Sequence, residues 1–342
     1  MAFSLSVLDL APVSSDSSAA QALQNTLDLA RLAEQLGFTR YWLAEHHNMP
    51  GIASSSPEIL IGQVARETSQ MRVGSGGIML PNHAPLQVAE SFQTLEALFP
   101  GRIDLGIGRA AGTDVRTALA LRRSRPGERP DELPALLDDL FAFAEGTFPE
   151  GHPFRFVGAV PAGVPLPPVW LLGSSDYSAQ VAAVRGLGFA FAHHINPYGA
   201  EAAMRLYRNN FVPSAYWKEP NAFVTASVIC AETDAEAEEL AQSLDLTWLR
   251  LHAGRPSVLP SLEEARAYPY TPAERAQVQA DRARLILGDP QSVRAQVCRL
   301  AALAGVEEVM VTTMVHSYAK RLRSYELLAE AFALPPRTRN PS

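Results

Sequence analysis

The feature that most constrains this chain is a regular alternation of short apolar runs with amphipathic stretches of helical period. Residues 4–8 (SLSVL) make an apolar run of strand length, and residues 19–36 follow with Leu23, Leu27, Ala30 and Leu36 at mostly helical spacing. Gly37 then stands where a helix closes on a left-handed residue. The unit repeats. Strands are expected at 41–44, 72–79, 103–107, 169–172, 189–192, 221–230 and 308–312, and helices at 57–68, 85–98, 133–145, 175–186, 201–211, 234–251, 290–304 and 319–332. Strands that alternate with helices lie parallel, because each helix returns the chain to the same end of the sheet. Eight such units in a chain of 342 residues fit a closed (β/α)8 TIM barrel with insertions. An open doubly wound sheet would carry a glycine fingerprint after its first strand. Here that strand leads into Asp9-Leu10-Ala11-Pro12-Val13, without glycine.

Regularity fails over residues 110–168, where an Arg/Pro stretch and a Gly/Pro-rich segment flank one helical run. This reads as an insertion within one domain spanning 1–334, with 335–342 as a frayed tail. A second irregular, proline-rich segment, 254–272, is the candidate lid over a strand-end site.

Composition narrows the function classes. The chain carries 29 basic and 36 acidic residues, a net charge of −7, and has no basic stripe. General nucleic-acid binding needs such a stripe to neutralise phosphates. The two cysteines, Cys230 and Cys298, lie far apart and lack ligand spacing, so they are expected to be buried small hydrophobes in a reducing cytoplasm. The start of the sequence lacks the charged and apolar regions of a signal peptide, and no apolar run is long enough to span a bilayer.

In a barrel of this kind function gathers where strands end. Glu45-His46-His47 follows the second strand. Adjacent histidines on an extended chain point to opposite sides, and neither an HxH nor an HExxH spacing is present, so no metal is expected. One histidine facing the barrel mouth suits proton transfer near neutral pH. Gly76 and Gly77 end the third strand, which points either to a close approach of a planar group or to a bulge. Ser174, Ser175 and Ser178 open the helix after the fifth strand; they either cap it or, with its free N–H groups, hold an anion. Arg109, after the fourth strand, suits a phosphate by bidentate contact or serves as an ion-pair partner.

At these residues the sequence resembles the luciferase-like monooxygenases, nearly end to end. The stretches that carry the resemblance are Tyr41–His47 (YWLAEHH), Val73–Pro81, Pro100–Arg109 (PGRIDLGIGR), Gly173–Ser178 and Val309–Leu328. The resemblance implies FMN, or in one branch a deazaflavin, bound at the barrel mouth. It implies that His46 controls proton transfer at the oxygenated flavin and that the Gly76–Gly77 peptide is cis against the flavin ring. It places Arg109, Ser174, Ser175, Tyr177 and Ser178 at the FMN phosphate, and His193 beside the flavin. An apolar substrate pocket is expected from Trp42 and Met79, with Phe3, Trp170 and Phe191 as further candidates. Two positions depart from the family's pattern. Gly108 stands where luciferase has a reactive cysteine, and Ser174 where it has a phosphate-site glutamate. Light emission is therefore not expected.

The function this implies is a two-component monooxygenase that receives reduced FMN from a separate reductase and uses O2 on a small organic substrate. No second nucleotide fingerprint is visible, in keeping with an external reductase. Two alternatives stand beside it. One is a deazaflavin-dependent dehydrogenase, whose acidic cofactor tail would use Arg122, Arg123 and Arg125. The other is a flavin-binding barrel without turnover. The resemblance also implies a homodimer, with helices 57–68 and 85–99 as candidate surfaces.

Overall fold

The computed structural model describes residues 3–110, 112–122 and 132–337. Among these, ten parallel strands form one sheet: β1 Ser4–Asp9, β2 Arg40–Leu43, β3 Arg72–Ser75, β4 Ile78–Met79, β5 Ile103–Gly108, β6 Val169–Gly173, β7 Gly188–Ala192, β8 Ala222–Cys230, β9 Leu285–Gly288 and β10 Glu308–Thr312. The ring runs β10-β1-β2-β3-β5-β6-β7-β8, and β8 pairs back onto β10, closing an eight-stranded parallel barrel. The TIM barrel expected from the alternation is what the chain folds into.

Period-two alternation sorts the strand residues into two cores. Leu5, Val7, Tyr41, Leu43, Val73, Ile103, Leu105, Val169, Leu171, Phe189, Phe191, Val224, Val309 and Val311 belong to the cluster shared with the surrounding helices. Leu8, Trp42, Trp170, Ala190, Phe223 and Met310 form a separate cluster within the ring. Phe191 and Phe3 are therefore not pocket residues: Phe191 faces the helices, and Phe3 stacks on Phe332. Trp170 sits in the inner cluster, with Trp42 and Phe223 edge-on or tilted against it.

Below that cluster the ring is plugged by charge. Asp104 accepts from Arg40 (2.8 Å), Arg72 (2.6 Å) and Trp42 Nε1 (3.1 Å), and Arg40 also reaches Glu308 (2.9 Å). A second buried pair, Asp9 with Arg321, ties helix Tyr318–Phe332 to β1, and Tyr41 donates to the same carboxylate.

Helices end where local chemistry dictates. Ser18, Thr233, Thr271, Asp289 and Ser317 cap helices with their side chains, and Gly37, at φ +90°, follows the first helix as its sequence position predicts. Within the 110–168 insertion, helix Leu133–Glu145 packs on helix Pro85–Leu98 in the ring, and a further helix, Val115–Arg122, buries little beyond Ala118. That thin apolar face explains why periodicity did not reveal it. The segment expected as an irregular lid is more ordered than its prolines suggest. It contains helix Leu262–Ala267, and its neighbour Pro272–Asp281 opens with a full capping box. Leu259 is buried and hydrogen-bonds both ways with the loop after β1. Cys230 is buried as expected, whereas Cys298 is exposed.

Candidate active site

At the C-terminal end of the barrel the inward positions open into a cavity. Inward residues of the strands and of the segments that follow them give much of the lining: Leu8 and Leu10; Trp42, Ala44 and His46; Leu172 and Ser174; Ala190, Ala192 and His194. Gly76, Met79, Gly108, Arg109, Ser175, Ser178, Ile195, Thr225 and Met310 add to it. One end is apolar and the other polar, the usual form of a small-molecule site.

The apolar wall is flat because side chains are excluded from it. The Gly76–Gly77 peptide is cis. A Cβ at Gly76 would lie 2.5 Å from Leu8 Cδ1, and one at Gly77 would lie 2.8 Å from the Gly106 carbonyl oxygen. Gly76 lines the cavity, whereas Gly77, expected at the cofactor, does not and lies against the β5 backbone. At Gly108, a Cβ would fall 2.7 Å from Met79 Sδ, so the methionine occupies the space a side chain there would need.

The polar end is built by β5 and β6. Ser175 occupies the N-cap position of helix Asp176–Val184, yet its hydroxyl makes no capping hydrogen bond. Ser178 packs against Gly173 so closely that a side chain at 173 would collide with its hydroxyl. Asn196 donates to the Ser174 carbonyl (2.8 Å) and fixes that turn. The Arg109 guanidinium lies 4.5 Å from the Tyr177 ring centroid, which orients it across the helix start. Tyr177 does not itself line the cavity; it holds the arginine that does.

Beside the glycines, Glu45 organises a cluster. It is fully buried and accepts from His47 Nε2 (2.9 Å), His83 Nε2 (3.0 Å), the Met79 N–H (2.8 Å) and Asn82 Nδ2 (3.3 Å). Burial opposes the charged carboxylate, but these donors outweigh it and hold its pKa at about 2. Burial also works against protonated His83, and contact with Glu45 more than offsets it, so the imidazole titrates above its ordinary value. Glu45 thereby fastens the segment that carries the glycine wall. Among the described residues no group of three or more His, Cys, Asp or Glu is arranged to hold a metal.

His46 lines the cavity from β2. Its Nδ1 lies 3.2 Å from the Gly112 carbonyl oxygen. Burial lowers its pKa, partly countered by that carbonyl and by Glu45. Across the mouth, His194 and not His193 lines the cavity. The strand ends at Ala192, and the turn over 193–195, in which the His194 N–H donates to the Thr225 carbonyl, brings the 194 ring to the cavity. His194 Nδ1 lies 3.2 Å from the Thr225 carbonyl oxygen, and burial lowers its pKa to about 4. Of the arginines considered for a cofactor tail, Arg122 donates to Asn82 (2.8 Å), while Arg123 and Arg125 lie outside the described residues.

Comparison with known proteins agrees with this architecture. Residues 3–308 match the family of luciferase-like monooxygenases. A luciferase-like monooxygenase of Escherichia coli (strain K12) is 44% identical, covering 96% of each chain. The N-acetyl-S-alkylcysteine monooxygenase of Bacillus subtilis (strain 168) is 34% identical, over 96% of this chain and 97% of that one. The crystal structure of apo-MsnO8 superposes with a TM-score of 0.89 at 42% identity, covering 98% of this chain and 99% of that one. More distant structures share the fold alone. They include the FMN complex of a diketocamphane monooxygenase component (TM-score 0.70, 19% identity) and an F420-dependent secondary alcohol dehydrogenase (0.69, 14%). The chain belongs to the luciferase-like monooxygenase family.

Proposed function

We propose that the protein is a monooxygenase that binds reduced FMN, supplied by a separate reductase, and uses O2 on a small organic molecule. The observation that carries the reading is the polar end of the cavity. There Arg109, the uncommitted Ser175 hydroxyl and the start of helix Asp176–Val184 converge beside a flat apolar wall. A phosphate monoester joined to a planar ring system has this distribution of polarity. The residues fit the group: Arg109, Ser174, Ser175 and Ser178 would hold the phosphate, and Gly76, Met79 and Leu8 would face the ring.

Reduced FMN, when bound, supplies the electrons that activate O2. The protein's own residues exclude water, fix the ring against the glycine wall and govern protons. His46, kept neutral by burial, presents one nitrogen to the cavity as a proton acceptor that becomes a donor once charged. A deazaflavin would need further cations for its long acidic tail; among the described residues at the mouth, Arg284 is paired with Asp281 and Arg122 donates to Asn82. Monooxygenase relatives that share the whole chain support oxygen chemistry.

The reading carries further expectations: transient contact with a flavin reductase, a cytoplasmic location, and a homodimer formed through helices Pro57–Glu67 and Pro85–Leu98. The test is oxygen uptake with a generic flavin reductase, NADH and catalytic FMN. Uptake that rises on adding an oxidisable organic substrate, and falls at least tenfold in His46→Ala, is expected for one lost proton-transfer group. Peroxide release at the uncoupled rate, identical in wild type and variant, would instead mark a flavin-binding barrel without turnover.

A further inference from the structure

A second cavity, of about 240 Å³, adjoins the first and shares Leu10, His46, His194 and Ile195 with it. It runs outward from the barrel mouth beneath helix Asp234–His252. Its walls are apolar: Met49, Ile52, Leu244, Trp248, Leu251 and Met314. Of the basic side chains that line it, Arg284 and His252 are both bound to the buried carboxylate of Asp281, and burial holds His46 and His194 neutral. The cavity thus offers an occupant no uncompensated positive charge.

Its inner end is polar, and the strand register shows how. Thr312 on β10 pairs with Ser227 on β8, and Ala192 on β7 pairs with Thr225 two residues earlier. His194 lies in the turn after β7, where its backbone N–H donates to the Thr225 carbonyl. His194, Ser227 and Thr312 all line this cavity. The Thr312 hydroxyl is buried and has no hydrogen-bond partner. Such a group costs stability unless something pairs with it.

The histidines have a defined polarity. A carbonyl oxygen only accepts, so Nδ1 of His46, facing Gly112 O, and Nδ1 of His194, facing Thr225 O, must each carry the proton. In a neutral ring Nε2 is then a bare acceptor. Burial keeps both rings neutral at neutral pH.

We propose that this second cavity holds the organic substrate, and that the substrate is an uncharged molecule with an apolar arm and, at its inner end, a hydroxyl or N–H group donated to His194 Nε2. A hydroxyl would in addition accept from Thr312, pairing the buried group that otherwise has no partner. This assignment rests on the monooxygenase reading for its meaning, but not for its test, because binding can be measured without flavin.

The test compares two isomers, 1-octanol and 1-methoxyheptane, which differ in the hydroxyl donor, by calorimetric titration of the full-length protein. Wild type is expected to prefer the alcohol by about tenfold, the effect of one hydrogen bond to a buried acceptor. His194→Leu should bring the two within about twofold, while His194→Gln, which retains an acceptor, should keep most of the preference. Thr247→Phe, which intrudes on the apolar arm, should weaken both isomers and leave their ratio unchanged. Equal binding in wild type, no binding of either compound, or a preference that survives His194→Leu would overturn the assignment. A parallel FMN titration separates the two readings: a chain that keeps the alcohol preference but fails to bind FMN sinks the cofactor assignment alone.

Discussion

Residues at the barrel mouth ionise in opposite directions because they are buried with different partners. His194 meets only a carbonyl and other bases, and its pKa falls from 6.5 to about 4. An unfolded chain would bind that proton at pH 5 while the folded one would not, so stability rises with pH across this window. The contribution is fully present above pH 6.5 and is lost as pH falls towards 4. Lowered His46 acts with the same sign. Glu45, held at about 2, begins to cost stability only below its ordinary 4.5, and raised His83 favours the folded state at the acid side. At about 1.4 kcal/mol per pKa unit, His194 is worth up to about 3 kcal/mol. Urea unfolding at pH 7 and pH 5 should therefore show a marked loss in wild type and a smaller one in His194→Gln; equal losses would contradict the account. How legible such residues were depended on their neighbours. His46 followed from resemblance, since alternation said only that one of two adjacent histidines faces the mouth. His194 was missed because resemblance selected its neighbour, and the turn that brings 194 to the cavity has no local pattern. The Glu45 cluster joins residues 38 positions apart, and no local pattern announces it.

At the scale of elements, the glycines of β5 are required for different reasons. A side chain at Gly106 would run into the Ser75 backbone carbonyl, which cannot yield without breaking the β3–β5 seam. At Gly108 the obstacle is the far end of Met79, which can turn aside. Gly106→Ala should thus abolish soluble folding or lower the melting temperature sharply, while Gly108→Ala should remain folded and alter flavin affinity. Comparable melting temperatures for the two would refute the distinction. The charged plug makes a parallel prediction. Asp104→Ala leaves Arg40 buried without its main partner and should cost about 3–5 kcal/mol in chemical denaturation, far more than removal of an exposed carboxylate. Most barrel strands and helices were readable as periodic runs. Helices Val115–Arg122, Leu262–Ala267 and Pro272–Asp281 were not, because each buries a single residue and so shows no apolar stripe, and β9 beside them was missed with them.

For the whole molecule, the closed barrel and the concentration of chemistry at one rim were legible from the count of alternating units and from five motifs in strand order. A homodimer is expected only through resemblance. Ile59 and Leu98, on helices Pro57–Glu67 and Pro85–Leu98, are 67% and 65% exposed, as a buried dimer surface would leave them in a single chain. Analytical ultracentrifugation should find a dimer in wild type and a folded monomer in the double variant Ile59→Arg, Leu98→Glu; a monomeric wild type would remove this expectation. The central claim is that the strand ends of β5 and β6 hold the phosphate of FMN. Its most direct test is anaerobic titration with oxidised and photoreduced FMN, followed by flavin absorbance, in wild type and Arg109→Ala. Micromolar or tighter binding, stronger for reduced FMN and weakened about ten- to hundredfold in the variant, is the predicted result. Failure of both forms to bind, or equal affinity in wild type and Arg109→Ala, would contradict it.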